Sequence, residues 1–106
     1  MARYMIIASY THDGIKGVVD GGGSARRDAV AKTVEELGGT LASFDFAFGV
    51  DDAYVIVDLP DDVAAAALGM AVVASGMVST RTVVLLTPEE IDRAAGVSVA
   101  YQPPGK

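Results

Sequence analysis

The stretch TLASFDFAFGVDDAYVIVDL, residues 40–59, decides the fold. In its first half, residues 40–48, Phe44, Phe46 and Phe48 fall on one side of an extended chain and Ser43, Asp45 and Ala47 on the other. Its second half, residues 53–59, is a dense β-favouring run containing Tyr54, Val55, Ile56 and Val57. Only Gly49-Val50-Asp51-Asp52 separates the two. Four residues with glycine and paired aspartates make a tight turn, so the two strands form an antiparallel hairpin.

Outward from the hairpin, residues 3–10 (RYMIIASY) read as a preceding strand. Thr11 is placed to cap a short helical turn with Ile15, Val18 and Val19 on its apolar side. Asp20-Gly21-Gly22-Gly23 is then expected to be an irregular loop, because three successive glycines lose much backbone entropy on ordering. Ser24 is placed to cap the next helix, in which Val30, Val34 and Leu37 recur at helical spacing and Gly38-Gly39 mark the end. After the hairpin, Pro60-Asp61-Asp62 opens a helix to about Ala74, its acids complementing the helix dipole. Residues 77–86 (MVSTRTVVLL) form the last strand. Thr87-Pro88-Glu89-Glu90 then starts a short final helix: threonine at the cap, proline at the first helical position, and a glutamate three residues beyond the cap. The order is β-α-β-β-α-β plus a C-terminal helix, an α+β ferredoxin-like pattern with a four-stranded antiparallel sheet. Residues 1–95 form one domain, and residues 96–106, with Pro103-Pro104, form a tail that is extended or wrapped on a neighbour.

The usual arrangement puts the first and third strands in the centre. Both carry apolar residues on both faces, Met5-Ile6-Ile7-Ala8 and Tyr54-Val55-Ile56-Val57. A sheet with one wet face alternates instead. Helices cover one face, and a second copy of the chain is the simplest cover for the other, so a homodimer or higher homo-oligomer is expected.

Composition narrows the chemistry. The chain has 106 residues, 51% of them apolar, and a formal net charge of -6. That charge argues against nucleic acid or an anionic membrane as partner. With no cysteine, disulfides, thiolate metal sites and cysteine nucleophiles are excluded. With a single histidine, no site in one subunit uses two imidazoles. Residues 63–80 carry no charge, but they are mostly alanine and abut Asp61 and Asp62, which favours a buried helix over a membrane span. The apolar run at Met5 to Ala8 is too short for an export core, so the cytoplasm is the expected compartment.

The residues also carry a family resemblance. Tyr4, Tyr10-Thr11, Gly14, Glu36-Leu37-Gly38-Gly39, residues 44–49 and Tyr54-Val55-Ile56-Val57-Asp58-Leu59-Pro60-Asp61 resemble the GYD domain family. Thr87-Pro88-Glu89-Glu90 and Tyr101-Gln102-Pro103-Pro104-Gly105 are similar to its actinobacterial members. The resemblance implies a dimeric α+β barrel, in which the ferredoxin-like sheet of one protomer packs against that of another. The eponymous Gly-x-Tyr-Asp is altered here to Gly49-Val50-Asp51-Asp52, so any activity that needs the tyrosine is not carried over.

Three groups could carry chemistry. His12 is the chain's one imidazole, the side-chain type most used for acid–base work, and sits beside Asp13; with Tyr10 and Asp52 it would form the acid–base set of a cofactor-independent isomerase, monooxygenase or lyase. Against this stands an exposed histidine in a helix's first turn. Arg26 and Arg27 follow the glycines and can bind an anion together with free backbone N–H groups, although no P-loop or dinucleotide motif is present. Arg81, inside the last strand, needs an acid such as Asp45 or one from a partner, or else a substrate carboxylate. The aspartates lack metal-binding spacing, so neither metal nor cofactor is expected. The phenylalanine stripe lacks the basic flanks of a base-stacking surface and reads as packing. The reading that follows is a homo-oligomeric domain that binds a small apolar or anionic molecule between sheet and helices, or that serves assembly alone.

Overall fold

The computed structural model describes residues 1–105. Its elements are β1 (Ala2–Tyr10), α1 (His12–Gly21), α2 (Gly23–Glu36), β2 (Thr40–Phe46), β3 (Ala53–Leu59), α3 (Asp62–Ala74), β4 (Val78–Leu85) and α4 (Pro88–Ala95). The sheet order is β2-β3-β1-β4, every pairing antiparallel. This is the expected α+β ferredoxin-like arrangement with β1 and β3 central, and the connection from β1 to β2 is made of two helices.

Alternation assigns the faces. Tyr4, Ile6 and Ala8 of β1 and Ala53, Val55, Val57 and Leu59 of β3 pack with Val34, Ala65 and Leu68 from the helices. Tyr4, Leu59, Val34 and Val57 are fully buried, each burial contributing about 1.5–3 kcal/mol before entropy is counted. The opposite face carries Met5, Ile7, Tyr54, Ile56, Val83 and Leu85. Ile7 is buried there between its cross-strand neighbours Tyr54 and Arg81. Two ion pairs rim this open face. Arg3 grips Asp58 through two parallel 2.9 Å hydrogen bonds, which hold the Asp58 carboxyl below its ordinary range. Arg81 binds Asp51 at 3.0 Å, and Ser9 donates to the other Asp51 oxygen at 3.2 Å.

Five local expectations are corrected. The glycine run is not a loop: Gly21 closes α1 and Gly23 opens α2, leaving only Gly22 outside a helix. A single residue at φ 88° reverses the chain, and glycine adopts that angle at no steric cost. Consequently Gly22, not Ser24, occupies the α2 cap position, without a side-chain cap bond. In α1, Gly14 is the buried residue, whereas Ile15 and Val19 are exposed. The second strand stops at Phe46, and one further bond, from the Ala47 N–H to the Asp52 carbonyl at 2.8 Å, closes the loop beyond it. Phe48 is therefore fully exposed and the three-ring stripe shrinks to Phe44 and Phe46. Finally, the acid that pairs with Arg81 is Asp51 of the hairpin loop, not Asp45.

The capping-box helix forms as read, with Thr87 and Glu90 bonding reciprocally at 3.1 and 3.0 Å. Those bonds hold the Glu90 carboxyl below its usual range.

Candidate functional site

A cleft of about 480 Å³ opens between α1, α2 and α3 above the end of the sheet. Its walls include Tyr10, Asp13, Arg26, Leu68, Val72 and Val78. A deeper recess of about 40 Å³ continues beneath it toward Ile6, Phe44 and Val55, sharing Tyr10 and Arg26 with the cleft above. The recess is apolar, and Arg26 is the cation at its entrance.

Local structure explains how the cleft forms. The Gly22 reversal lays α2 against α1, so Arg26 in the first turn of α2 faces the recess. Gly14 lets α1 approach β4 closely: a Cβ there would stand 2.0 Å from the Met77 carbonyl oxygen. The same carbonyl accepts the Thr11 N–H at 2.9 Å, pinning the start of α1 to β4. The Asp52 carboxylate accepts the Tyr10 N–H at 2.8 Å, and the Asp52 N–H donates to the Ala8 carbonyl at 2.8 Å. Asp52 thereby fixes the strand end from which Tyr10 projects. The Tyr10 ring stacks on Phe46 with centroids 6.4 Å apart.

The Arg26 Nε is buried and has no hydrogen-bond partner. No ion pair involves Arg26 among the described residues. A buried donor without a partner costs about 1–3 kcal/mol, and the guanidinium fork matches a carboxylate in shape and charge. Asp13 borders the same cleft from α1, so the opening carries one group of each sign.

The residues singled out in the sequence therefore separate. Tyr10 and Arg26 come together in the cleft. Asp52 supports Tyr10 from behind through its backbone. His12 is exposed at the first position of α1 and lies outside both cavities. Arg27 points away and pairs with its neighbour Asp28 at 3.1 Å, both exposed. Arg81 lies on the opposite face of the sheet. No group of three or more histidine and acidic side chains is placed to hold a metal among the described residues.

Sequence reasoning missed two features. Asp13 is a cleft residue and not merely a companion to His12. Tyr4 donates to Asp62 Oδ1 at 2.6 Å, tying β1 to the first turn of α3. That bond, together with burial and the nearby acids, pushes the phenol up to about 12. A tyrosine two residues into a central strand gave no sign of it.

Among the described residues no helix is long and apolar enough to cross a membrane. Searches of curated proteins and of solved structures returned no match. The model of the GYD domain family matches residues 4–95, which spans every strand, all four helices and the whole cleft. The chain belongs to the GYD domain family.

Proposed function

We propose that this GYD domain binds a small organic anion with an apolar body in the cleft between helices and sheet, with Arg26 as the anchor. The observation that carries the reading is the buried, unpartnered Arg26 Nε at the entrance to an apolar recess. The cleft volume lies in the range of small-molecule sites. Burial leaves the Arg26 Nε without a partner, so a carboxylate there supplies the missing hydrogen bond while the largely apolar walls of the 480 Å³ cleft take the hydrocarbon. Acid–base catalysis through His12 draws no support from this geometry, because His12 stands outside the cleft.

The binding domain is proposed to work as a homo-oligomer, the open sheet face being covered by that of a second copy. Support comes from the exposed Tyr54 and Val83 and the half-buried Met5 and Ile56, which share that face with the two ion pairs. The cytoplasm is the compartment proposed for it; the run from Met5 to Ala8 is the middle of a central strand.

The test is a thermal-shift series with medium-chain carboxylates and their matched alcohols. Carboxylates at a hundred times their Kd should stabilise the protein by about 2.7 kcal/mol; the alcohols should do far less. Arg26→Met should abolish the shift, whereas Arg27→Met should preserve it. Equal loss in both variants, or equal shifts from acids and alcohols, refutes the assignment.

A further inference from the structure

Two surfaces on this chain lack cover, and each suits the other. The first is α3. After Asp62 this helix has no charged residue, yet Val63, Met70 and Val73 are exposed. A helix apolar all round is normally buried on every side. Beside it, between α3 and the edge strand β4, runs an apolar groove of about 690 Å³. The second surface is the C-terminal arm. No α4 residue is buried, every residue from 91 to 105 is exposed, and α4 packs substantially on no other element. The arm nevertheless carries Ile91, Val97, Val99 and Tyr101. In the run Val97-Ser98-Val99-Ala100-Tyr101 the large side chains alternate with small ones, so an extended arm presents them on one side.

The overall dimensions agree that the arm stands off the body. The radius of gyration is 16.8 Å and the longest extent 56 Å, against a radius of about 13 Å for a compact chain of this length.

We infer that the C-terminal arm of one copy packs into the α3–β4 groove of a second copy, reciprocally. This rests on the homo-oligomer part of the reading above. Both halves of the contact lie on one chain, which is the requirement for a closed two-fold exchange. Complete burial of Val63, Met70, Val73, Val97, Val99 and Tyr101, each about half or more exposed, would remove at most roughly 700 Å² per copy, against the ~800 Å² per partner of a standard stable interface. The groove opens at the rim of the sheet, because β4 is an edge strand.

The absence of cysteine makes a direct test clean. Full-length Val99→Cys protein is mixed with full-length Met70→Cys protein under mild oxidation. A control mixes Val99→Cys with Val19→Cys, an equally exposed site on α1. The expected result is a mixed disulfide dimer with Met70→Cys, formed at least tenfold faster than with Val19→Cys. Val97→Asp combined with Val99→Asp should weaken dimerisation at least tenfold by sedimentation. Equal cross-linking at both sites overturns the arm exchange, as does an intrachain disulfide in a monomeric Val99→Cys, Met70→Cys double variant. If light scattering still gives a dimer in either case, the sheet-face pairing stands alone. A monomer at micromolar concentration overturns both, and Arg26-dependent carboxylate binding is scored separately.

Discussion

Gly14 and Gly17 lie one turn apart on α1, and replacing each with alanine should change stability in opposite directions. At Gly17 a new Cβ meets no atom within 4 Å beyond its own helix. Removing a helical glycine then stabilises by about 0.5–1 kcal/mol. At Gly14 the Cβ would stand 2.0 Å from the Met77 carbonyl oxygen and 3.0 Å from its carbon. A carbon–oxygen contact needs about 3.3 Å, so α1 must retreat from β4 by about 1 Å. Both partners at the clash are backbone and neither can rotate away. Retreat also stretches the 2.9 Å bond from the Thr11 N–H to the same carbonyl. Overpacking costs about 1–3 kcal/mol, the strained hydrogen bond about 1 kcal/mol, and the gain in helix propensity returns up to about 1 kcal/mol. The net loss is about 1–3 kcal/mol. At about 4–8 °C per kcal/mol for a domain of this size, the two variants should differ by roughly 10–25 °C in Tm. Urea and thermal unfolding followed by circular dichroism read the effect directly. A Gly14→Ala protein that unfolds at or above the wild-type midpoint refutes the close approach, and with it the geometry of the cleft wall.

Other outcomes follow from single contacts. The Tyr4 phenol is raised from 10.0 to about 12 in the folded state, so its contribution is complete below pH 10 and is lost as pH rises toward 12, where the unfolded chain ionises first. Tyr4→Phe should remove that alkaline component from the stability curve; superimposable curves between pH 10 and 12 would contradict it. Asp52→Ala should cost about 1.5–3 kcal/mol by urea titration, since a charge-assisted bond to the Tyr10 N–H is lost. Arg81→Ala should cost less than about 1 kcal/mol, its guanidinium side being solvent-exposed. Thr87→Ala should weaken α4 by about 1 kcal/mol and raise amide exchange there while leaving the global midpoint unchanged, because the helix packs substantially on no other element of its own chain; a shift of the whole transition would show that it does.

Much of the fold was legible because each signal was local. The hairpin needed only a four-residue turn between two β-favouring runs, and the last helix needed only Thr87, Pro88 and Glu90. The glycine run misled for an equally physical reason. Composition assigns three glycines the same freedom, whereas the observed chain needs positive φ at Gly22 and lets its two neighbours join helices. The stripe of Phe44, Phe46 and Phe48 misled because alternation cannot say where pairing stops, and the strand ends at Phe46. Of the proposed site residues, proximity to the glycines suggested Arg26 and Arg27 equally. Helix phase separates them, turning one into the cleft and leaving the other beside Asp28.

By itself the sequence determined the element order, the central position of β1 and β3, the excess of apolar surface and the narrow chemical repertoire of acids, arginines and one histidine. These depend on periodicity and composition, which are properties of neighbouring residues. Tertiary structure alone decided that the Arg26 Nε is buried without a partner, that Asp51 and not Asp45 meets Arg81, that Tyr4 meets Asp62, and that α4 stands away from the body. Each joins or separates groups 30 or more residues apart, or depends on a helix's rotation against the sheet. Such distances are set by packing, where a one-residue change of phase moves a side chain to another face.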